Sequence, residues 1–192
     1  MVAFGYLVFA AALVAIDQGI NYYILSIMDM GDTRSFMPGI AKLFLTRNDG
    51  AAFSIFSGKN FMLLVVNSCL IGTIIIFMII RNKKMGQFLL PFALSLIVAG
   101  GAANLIDRLR YGYVVDYIKL TFKPFENFAI FNFADCLVVI GTGFLLIYAI
   151  KDLFKKKYKE VTPVFEPSGD VDLDNLKIEL LPETISEDNG ND

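Results

Sequence analysis

The chain has 192 residues, of which 56% are hydrophobic and 19% charged, and its formal net charge is −2. So apolar a composition is unusual for a soluble domain, and no basic surface of the kind that nucleic acid requires is present, so we exclude a nucleic-acid-binding protein. The chain has no histidine, which removes the commonest metal ligand and the usual general base.

Cysteine usage gives no indication of a metal site. Cys69 and Cys136 each lie within an apolar block and have no C-x-x-C spacing. We interpret both as small buried hydrophobic residues, because neither a disulfide framework nor a zinc site is supported. The sequence therefore predicts no metal and no cofactor.

The first element is an apolar segment, residues 2–27, interrupted only by Asp17, Gln18 and Asn21. No basic region precedes it and no A-x-A-like site closes it, so we expect a retained span and not a removed signal peptide. An unpaired carboxylate such as Asp17 costs at least ~2.5 kcal/mol inside a span. Asn21 lies one turn away on the same face. The two residues are either a polar contact between helices or, as we favour, a support for an interior site.

Four segments reach the roughly 20 residues that a bilayer core of about 30 Å demands. They are residues 2–27, 61–80, 88–106 and 133–150. We therefore predict an α-helical integral membrane protein with four transmembrane helices, whose backbone groups are all bonded internally.

Lysine and arginine near the span ends predict the orientation. Arg81, Lys83 and Lys84 follow the second span within four residues, and five lysines follow the fourth span between residues 151 and 159. The opposite loops hold as many basic residues, but over longer segments. The dense basic clusters after the second and fourth spans favour both termini in the cytoplasm. Segments 29–60 and 107–131 then lie on the outer side.

Segment 29–60 contains two short β-like runs, 40–46 and 52–56, on either side of Asn48-Asp49-Gly50. An Asx-Gly pair between such runs is typical of a β-hairpin. We expect a small sheet on the bilayer surface, because strand edges are not tolerated in lipid.

Segment 107–131 is rich in aromatic residues, which favour the headgroup region of a bilayer. They are Tyr111, Tyr113, Tyr117, Phe122, Phe125 and Phe128. Pro124 prevents one regular element from running through the segment.

The end of the chain differs in character. Residues 160–192 carry ten acidic residues, three prolines and one lysine. This composition predicts a disordered cytoplasmic tail after a membrane domain that covers residues 1–159.

The third span ends in small and polar residues. Gly100, Gly101, Ala102 and Ala103 allow another helix to approach closely. The next polar side chains share one face of the helix end, at i, i+3 and i+4. They are Asn104, Asp107 and Arg108. The spacing fits two interpretations equally. The residues either cap the helix at the membrane interface, with Arg108 reaching lipid phosphate, or Asn104 and Arg108 donate hydrogen bonds that hold the acceptors of a site.

Two further aspartates flank the connector between the third and fourth spans. Asp116 lies in a short β-like run, YVVDYI, where β-propensity explains it poorly. Asp135 opens the fourth span, where Asn132 and Asp135 resemble a helix capping box. Two carboxylates close together do not easily ionise at once, so one can act as base on water while the other donates a proton. The pair therefore fits aspartic-protease chemistry.

At these residues the sequence resembles the lipoprotein signal peptidase family, also called signal peptidase II. The resemblance covers most of the chain up to about residue 155. Its ordered blocks are Asp17-Gln18, NDGAAFS at 48–54, GGAANLIDRLRYGYVVDYI at 100–118 and FNFADCLVVIGTG at 131–143. Several blocks in the right order are far more specific than any single motif.

The resemblance implies a small extracytoplasmic β-cradle over four transmembrane helices. It implies an aspartic endopeptidase that cleaves diacylglyceryl-modified prolipoproteins just before the lipidated cysteine. Asp116 and Asp135 match its catalytic pair. The supporting positions that match are Asp17, Asn48, Gly50, Asn104, Asp107, Arg108, Asn132 and Ala134. The implied setting is the bacterial cytoplasmic (inner) membrane, with a site near the outer face, lipids as partners and a monomeric enzyme.

This chain departs from the family pattern at two positions. Ala103 stands where the family usually has glycine, which is a change of one methyl group. Asn21 stands where a lysine often follows the Asp-Gln pair, so the partner of Asp17 stays open.

Two other classes of protein fit parts of the pattern. In a small membrane carrier, Asp17, Asp107, Asp116 and Asp135 would line a polar path. In a magnesium-dependent lipid-headgroup enzyme, several aspartates would hold the metal. Most of the ionisable residues cluster at one end of the bundle, which favours an active site over a path.

Overall fold

A computed structural model describes residues 2–49, 60–81 and 88–161 of the chain. The helices are α1 (Val2–Ile27), α2 (Asn60–Ile80), α3 (Leu89–Tyr111) and α4 (Phe133–Val161), and the strands are β1 (Thr33–Met37), β2 (Ala41–Asn48) and β3 (Val114–Leu120). A short 3-10 helix covers Phe125–Asn127.

Four helices are long and apolar enough to cross a membrane, which confirms the predicted fold class. Two of the predicted spans agree with the apolar helices Val2–Ile27 and Phe61–Ile80. The other two helices continue further, because α3 runs to Tyr111 and α4 to Val161. Helix α3 passes through the charged pair Asp107-Arg108 and ends at Gly112, whose φ of 80° is the left-handed conformation that stops a helix.

Helix α3 is the centre of the bundle. More than half of its apolar stretch is buried (56%), against 11–17% for the three other spans. Helix α4 approaches it where glycine leaves room, since a Cβ on Gly100 would meet the Ala134 carbonyl oxygen and one on Gly141 would meet the Ala93 carbonyl oxygen. The predicted close approach of another helix at Gly100 is confirmed.

The outward faces of the helices are apolar. Phe4, Phe61, Ile80 and Val139 are each at least 70% exposed. Side chains of this kind on four long helices are the surface expected of a bundle that contacts lipid hydrocarbon.

The three strands form an antiparallel sheet in the order β1-β2-β3. The predicted β-like runs at 40–46 and around Asp116 correspond to β2 and β3, whereas β1 had no counterpart among the predicted elements. The hairpin within the described residues joins β1 to β2. The other half of the predicted hairpin, Gly50 and residues 52–56, lies outside the described residues.

The sheet packs on the C-terminal end of α1. Leu45, Val115 and Tyr117 form a buried apolar cluster with Ile24 and Met28 of that end. Burial of these side chains fixes β3, and with it Asp116, above the bundle.

The predicted acidic tail falls mostly outside the described residues, since the description ends at residue 161. The division into a membrane domain of residues 1–159 and a tail of residues 160–192 stays a prediction.

Candidate active site

Asp116 is buried in the sheet, only 2% exposed, and both of its carboxylate oxygens accept hydrogen bonds. Asn48 Nδ2 donates to Oδ2 at 2.9 Å, and Asn132 Nδ2 donates to Oδ1 at 3.1 Å. Thr46 of β2 pairs directly with Asp116, so Asn48 reaches the carboxylate as a diagonal neighbour on the same face.

The environment of Asp116 favours its protonated form. Burial, and then the negative charge of Asp135, raise the pKa of Asp116 from 3.8 to about 7, although the hydrogen bond from Asn48 acts against them. A carboxyl group with this pKa holds a proton for a large fraction of the time at neutral pH.

Asp135 lies in the first turn of α4 and is tied to the residue that begins the helix. Its backbone N–H donates to Asn132 Oδ1 at 2.8 Å, and the Asn132 backbone N–H donates to Asp135 Oδ2 at 3.2 Å. This is the reciprocal capping box that the sequence suggested. The other carboxylate oxygen, Oδ1, accepts from Asn104 Nδ2 at 2.9 Å, so the group caps the helix and also takes part in the polar cluster.

Asn132 links the two aspartates. Its amide nitrogen donates to Asp116 Oδ1, to Asn104 Oδ1 at 3.0 Å and to the Val115 carbonyl oxygen at 3.3 Å. Its amide oxygen accepts from the Asp135 backbone. One fully buried side chain therefore sets the position of β3 relative to the start of α4.

Asp107 lies deeper and ties three elements together. Its fully buried carboxylate accepts from the Val115 backbone N–H at 3.1 Å, from Gln18 Nε2 at 2.8 Å and from Asn21 Nδ2 at 3.0 and 3.1 Å. The N–H that it holds belongs to the residue immediately before Asp116. Asp107 thus fixes the start of β3 against α1 and α3.

We expect Asp107→Ala to destabilise the protein, because it leaves the Val115 N–H and two amide side chains without their buried acceptor. Each such loss costs about 1–3 kcal/mol. The melting temperature of the purified protein should fall by roughly 5–10 °C. A melting temperature within about 1 °C of the wild type would show that Asp107 does not hold the strand.

Asp17 belongs to the same deep cluster and does not contact Asp116 or Asp135 through any hydrogen bond among the described residues. Gln18 Nε2 and Asn21 Nδ2 both donate to its Oδ2 at 3.3 Å. The partner of Asp17, which the sequence left open, is thus the amide of Asn21 together with Gln18. Asn21 also donates to Asp107, so it bridges two buried carboxylates.

Arg108 turns toward the protein. Its Nη1 donates to the Asn104 carbonyl oxygen at 3.2 Å, and Asp135, Asp116 and Asp107 all act on it electrostatically. Its Nε has no hydrogen-bond partner within the part of the chain that the structure describes. The guanidinium is thus a positive charge close to the aspartates, and its buried Nε–H is not hydrogen-bonded within the described residues.

The remaining predicted site residues are Ala134, which is fully buried where α4 meets Gly100, and Gly50, which lies outside the described residues. In residues 2–49, 60–81 and 88–155, no group of three or more Cys, Asp or Glu side chains is arranged to hold a metal ion.

Tyr117 corrects one expectation and adds a residue to the site. We expected it at headgroup level, but it is only 3% exposed, because it packs in the apolar cluster with Leu45 and Val115. Its hydroxyl oxygen accepts the Phe133 backbone N–H at 3.2 Å. Burial raises the pKa of this hydroxyl, so Tyr117 is neutral. It occupies a free N–H at the start of the helix that carries Asp135. Aromatic content alone did not distinguish it from its exposed neighbours.

The fold and the site together define a multi-pass membrane protein with two carboxyl groups held by asparagine amides at one end of a four-helix bundle. The family model described as signal peptidase (SPase) II matches residues 9–151. The chain belongs to the signal peptidase II family.

Two curated relatives illustrate the match, and both are named lipoprotein signal peptidase. The protein of Enterococcus faecalis is 37% identical over 147 residues, which cover 77% of this chain and 88% of the relative. The protein of Lactiplantibacillus plantarum is 38% identical over 147 residues, covering 77% of this chain and 95% of the relative.

Two solved structures have the same fold. Both are described as a bacterial membrane enzyme, one determined at 2.3 Å and one at 1.9 Å resolution. The first has a TM-score of 0.71 and 33% identity, and covers 82% of this chain and 94% of the solved one. The second has a TM-score of 0.68 and 32% identity, with 77% and 94% covered.

Membership in this family confirms that the protein is a peptidase and a multi-pass protein of the bacterial inner membrane. The alternative of a non-enzymatic carrier is not favoured.

Proposed function

We propose that Asp116 and Asp135 are the catalytic pair of this peptidase, and that it removes the signal peptide from diacylglyceryl-modified prolipoproteins just before the lipidated cysteine. The names of the relatives support the substrate class. The observation that carries the catalytic assignment is the Asn132 side chain, whose amide nitrogen donates to the Asp116 carboxylate and whose amide oxygen accepts the Asp135 backbone N–H.

In this mechanism Asp116 holds the proton of the resting pair and Asp135 is the base. Asp135 takes a proton from water as the water oxygen attacks the scissile carbonyl carbon, and Asp116 donates its proton to the carbonyl oxygen. In the second step Asp135 gives the proton to the leaving nitrogen while the C–N bond breaks, and Asp116 recovers a proton from the resulting hydroxyl. Both carboxyl groups then regain their initial state.

The amide side chains around the pair act as positioning residues. Asn48 and Asn132 fix the two oxygens of Asp116, and Asn104 fixes one oxygen of Asp135. Arg108 adds a positive charge beside both. Its Nε is buried and has no hydrogen-bond partner among the described residues, so we assign Arg108 an electrostatic role and not a direct contact with the substrate.

The other matched positions support the site from further away. Asp17 and Asp107 hold α1, α3 and β3 through the amides of Gln18 and Asn21. Ala134 keeps α4 close to Gly100. Gly50 belongs to the family motif at 48–54, and we assign it to the same supporting set.

The substrate reaches the site within the membrane plane, because its signal helix and acyl chains are themselves apolar. We propose that both termini are cytoplasmic and that the sheet end of the bundle lies near the outer face, in agreement with the dense basic clusters at 81–84 and 151–159. In this orientation the scissile bond and Asp116 meet at the interface, and the enzyme acts as a monomer surrounded by lipid.

Asn132→Ala should remove the side chain that positions Asp116 relative to Asp135. It removes a donor to Asp116 and the acceptor for the Asp135 backbone, so we expect kcat to fall about 10²- to 10³-fold with a smaller change in KM. Steady-state cleavage of a lipidated precursor measures both constants. An unchanged kcat would contradict the positioning role of Asn132.

The function itself is tested with the purified protein in detergent and a diacylglyceryl-modified lipoprotein precursor, in the presence of EDTA. Mass spectrometry should show one cut immediately before the modified cysteine, and the matched precursor without the diacylglyceryl group should stay intact. No cleavage of the modified precursor, or cleavage at another bond, would overturn the proposed specificity. Loss of activity in EDTA would favour a metal-dependent enzyme.

A further inference from the structure

Two lysines face each other at the end of the sheet that is remote from Asp116. Lys42 of β2 and Lys119 of β3 are direct partners in the antiparallel register, so their side chains leave the same face of the sheet side by side. Like charges in this arrangement repel each other and weaken the sheet. Each side chain is half-buried, and neither forms an ion pair with a carboxylate in the described part of the chain. The lysine pair, Lys42 and Lys119, therefore has no carboxylate partner among the described residues.

The lysine pair belongs to the face of the sheet that meets the helix ends. Side chains alternate along a strand, so Lys119 leaves the same face as Val115 and Tyr117. Both of these pack on Ile24 and Met28 at the end of α1. Lys119 lies two residues beyond Tyr117, about 7 Å further along the strand. The lysine pair thus lies on the sheet face that packs on the end of α1, which in the proposed orientation is the end of the bundle near the outer membrane surface.

Exposed apolar side chains border the lysine pair in the chain. All belong to β1, to the β1–β2 turn or to the segment after β3, and each is 38–54% exposed. They are Phe36, Met37, Ile40, Phe122, Phe125 and Phe128. The Lys119 Nζ itself lies 5.4 Å from the ring centre of Phe44. Basic and aromatic residues in this combination are typical of surfaces that sit in a phospholipid headgroup layer.

We propose that Lys42 and Lys119 bind the phosphate group of one anionic phospholipid, whose glycerol and acyl chains lie against the exposed apolar residues. A phosphate placed between the two ammonium groups attracts both of them. Its negative charge therefore offsets the cross-strand repulsion between the lysines. A zwitterionic lipid is a weaker ligand, because its own cationic headgroup competes with the lysines. The site is independent of the aspartate pair, so it does not rest on the proposed catalytic mechanism.

The test uses a fluorescent reporter, since the chain contains no tryptophan. Phe122→Trp introduces one tryptophan three residues from Lys119, at most about 10 Å along the chain. This variant is reconstituted in phosphatidylcholine vesicles that contain equal mole fractions of either brominated phosphatidylglycerol or brominated phosphatidylcholine. Each lysine near an anionic lipid should raise the association constant about fivefold. We therefore expect quenching to show an association constant on the order of 10-fold or more higher for phosphatidylglycerol than for phosphatidylcholine.

The lysines are then changed in the Phe122→Trp background. K42Q/K119Q should reduce the preference to nearly one, and K42R/K119R should keep it. K151Q/K155Q is the matched control, because it removes the same charge from the C-terminal part of α4, where Lys151 lies about 27 Å along the helix from Phe133. It should leave the preference intact.

The proposal would be overturned by no preference for phosphatidylglycerol in the reporter variant, by an equal loss of preference in K151Q/K155Q, or by an unchanged preference in K42Q/K119Q. Full competition by millimolar inorganic phosphate would also overturn it, since the site would then take free phosphate and not a lipid. The readout is binding, so a failure here is separate from a failure of the peptidase assay.

Discussion

Asp116→Asn and Asp135→Asn are each expected to lower kcat for the lipidated precursor by at least about 10³-fold. Either change keeps the size of the side chain but removes the carboxyl group that moves a proton, and groups that act as a unit lose nearly all activity when one is removed. The double variant should therefore be hardly worse than either single variant. Single-turnover cleavage in detergent measures all three.

Thermal melting supplies the control for folding. For Asp116→Asn, the raised pKa of the carboxyl group also predicts how the change in melting temperature depends on pH. The folded-state pKa of Asp116 is raised from 3.8 to about 7, so the carboxyl group loses stabilisation as pH rises through this window. Asparagine has no such loss. The NH2 group of asparagine loses one of the two accepted hydrogen bonds at every pH, so the melting temperature of the variant relative to the wild type should be higher at pH 8 than at pH 4. A folded Asp116→Asn protein with near wild-type cleavage would remove Asp116 from the mechanism.

Gly100→Ala is the second change with a large expected effect. The added Cβ would overlap the Ala134 carbonyl oxygen and would lie 2.8 Å from Val138 Cγ2. The first of these is backbone and does not rotate away, so α4 must move, and α4 carries Asp135. We expect the melting temperature to fall by roughly 10 °C and cleavage to fall about 100-fold.

Gly143→Ala provides the matched control, because it is the same substitution on α4 at a site with no atom within 4 Å of the new Cβ. It should melt at the wild-type temperature or slightly above, since alanine is the better helix former. Equal behaviour of Gly100→Ala and Gly143→Ala in both assays would show that the α3–α4 contact is not what holds Asp135.

Hydrophobic run length predicts most of this fold from sequence. Two predicted spans agree with the apolar helices, because most of their side chains face outward and the length of the apolar run alone marks the helix. The third apolar span was predicted to end at residue 106, although Asp107 and Arg108 were placed on the helix end, and α3 continues to Tyr111. Buried partners on α1 and β3 accommodate Asp107 inside the helix, and these come from segments distant in sequence.

Strand β1 shows a second limit. All five of its residues are exposed, so it carries no alternation of apolar and polar side chains from which a strand is predicted. Its pairing with β2 depends on the position of β2, which is set by β3 and the end of α1.

For the site, the sequence supplied the residue types and the structure supplies their links. The capping box at Asn132 and Asp135 is local, so its spacing revealed it. The bonds from Asn132 and Asn48 to Asp116 cross between elements, and no spacing predicts them. Asn21 illustrates the same point, since its two carboxylate partners lie 4 and 86 residues away.

The most direct test of the central claim, a carboxyl pair in which Asp116 carries the proton, is the pH dependence of kcat/KM for the lipidated precursor. Above about pH 7 the Asp116 carboxyl group ionises, so kcat/KM should fall about tenfold for each pH unit between 7.5 and 9, with melting curves at each pH showing that the protein stays folded. A kcat/KM that is constant or rises over this range would contradict the account, because the reaction would then not need a protonated Asp116.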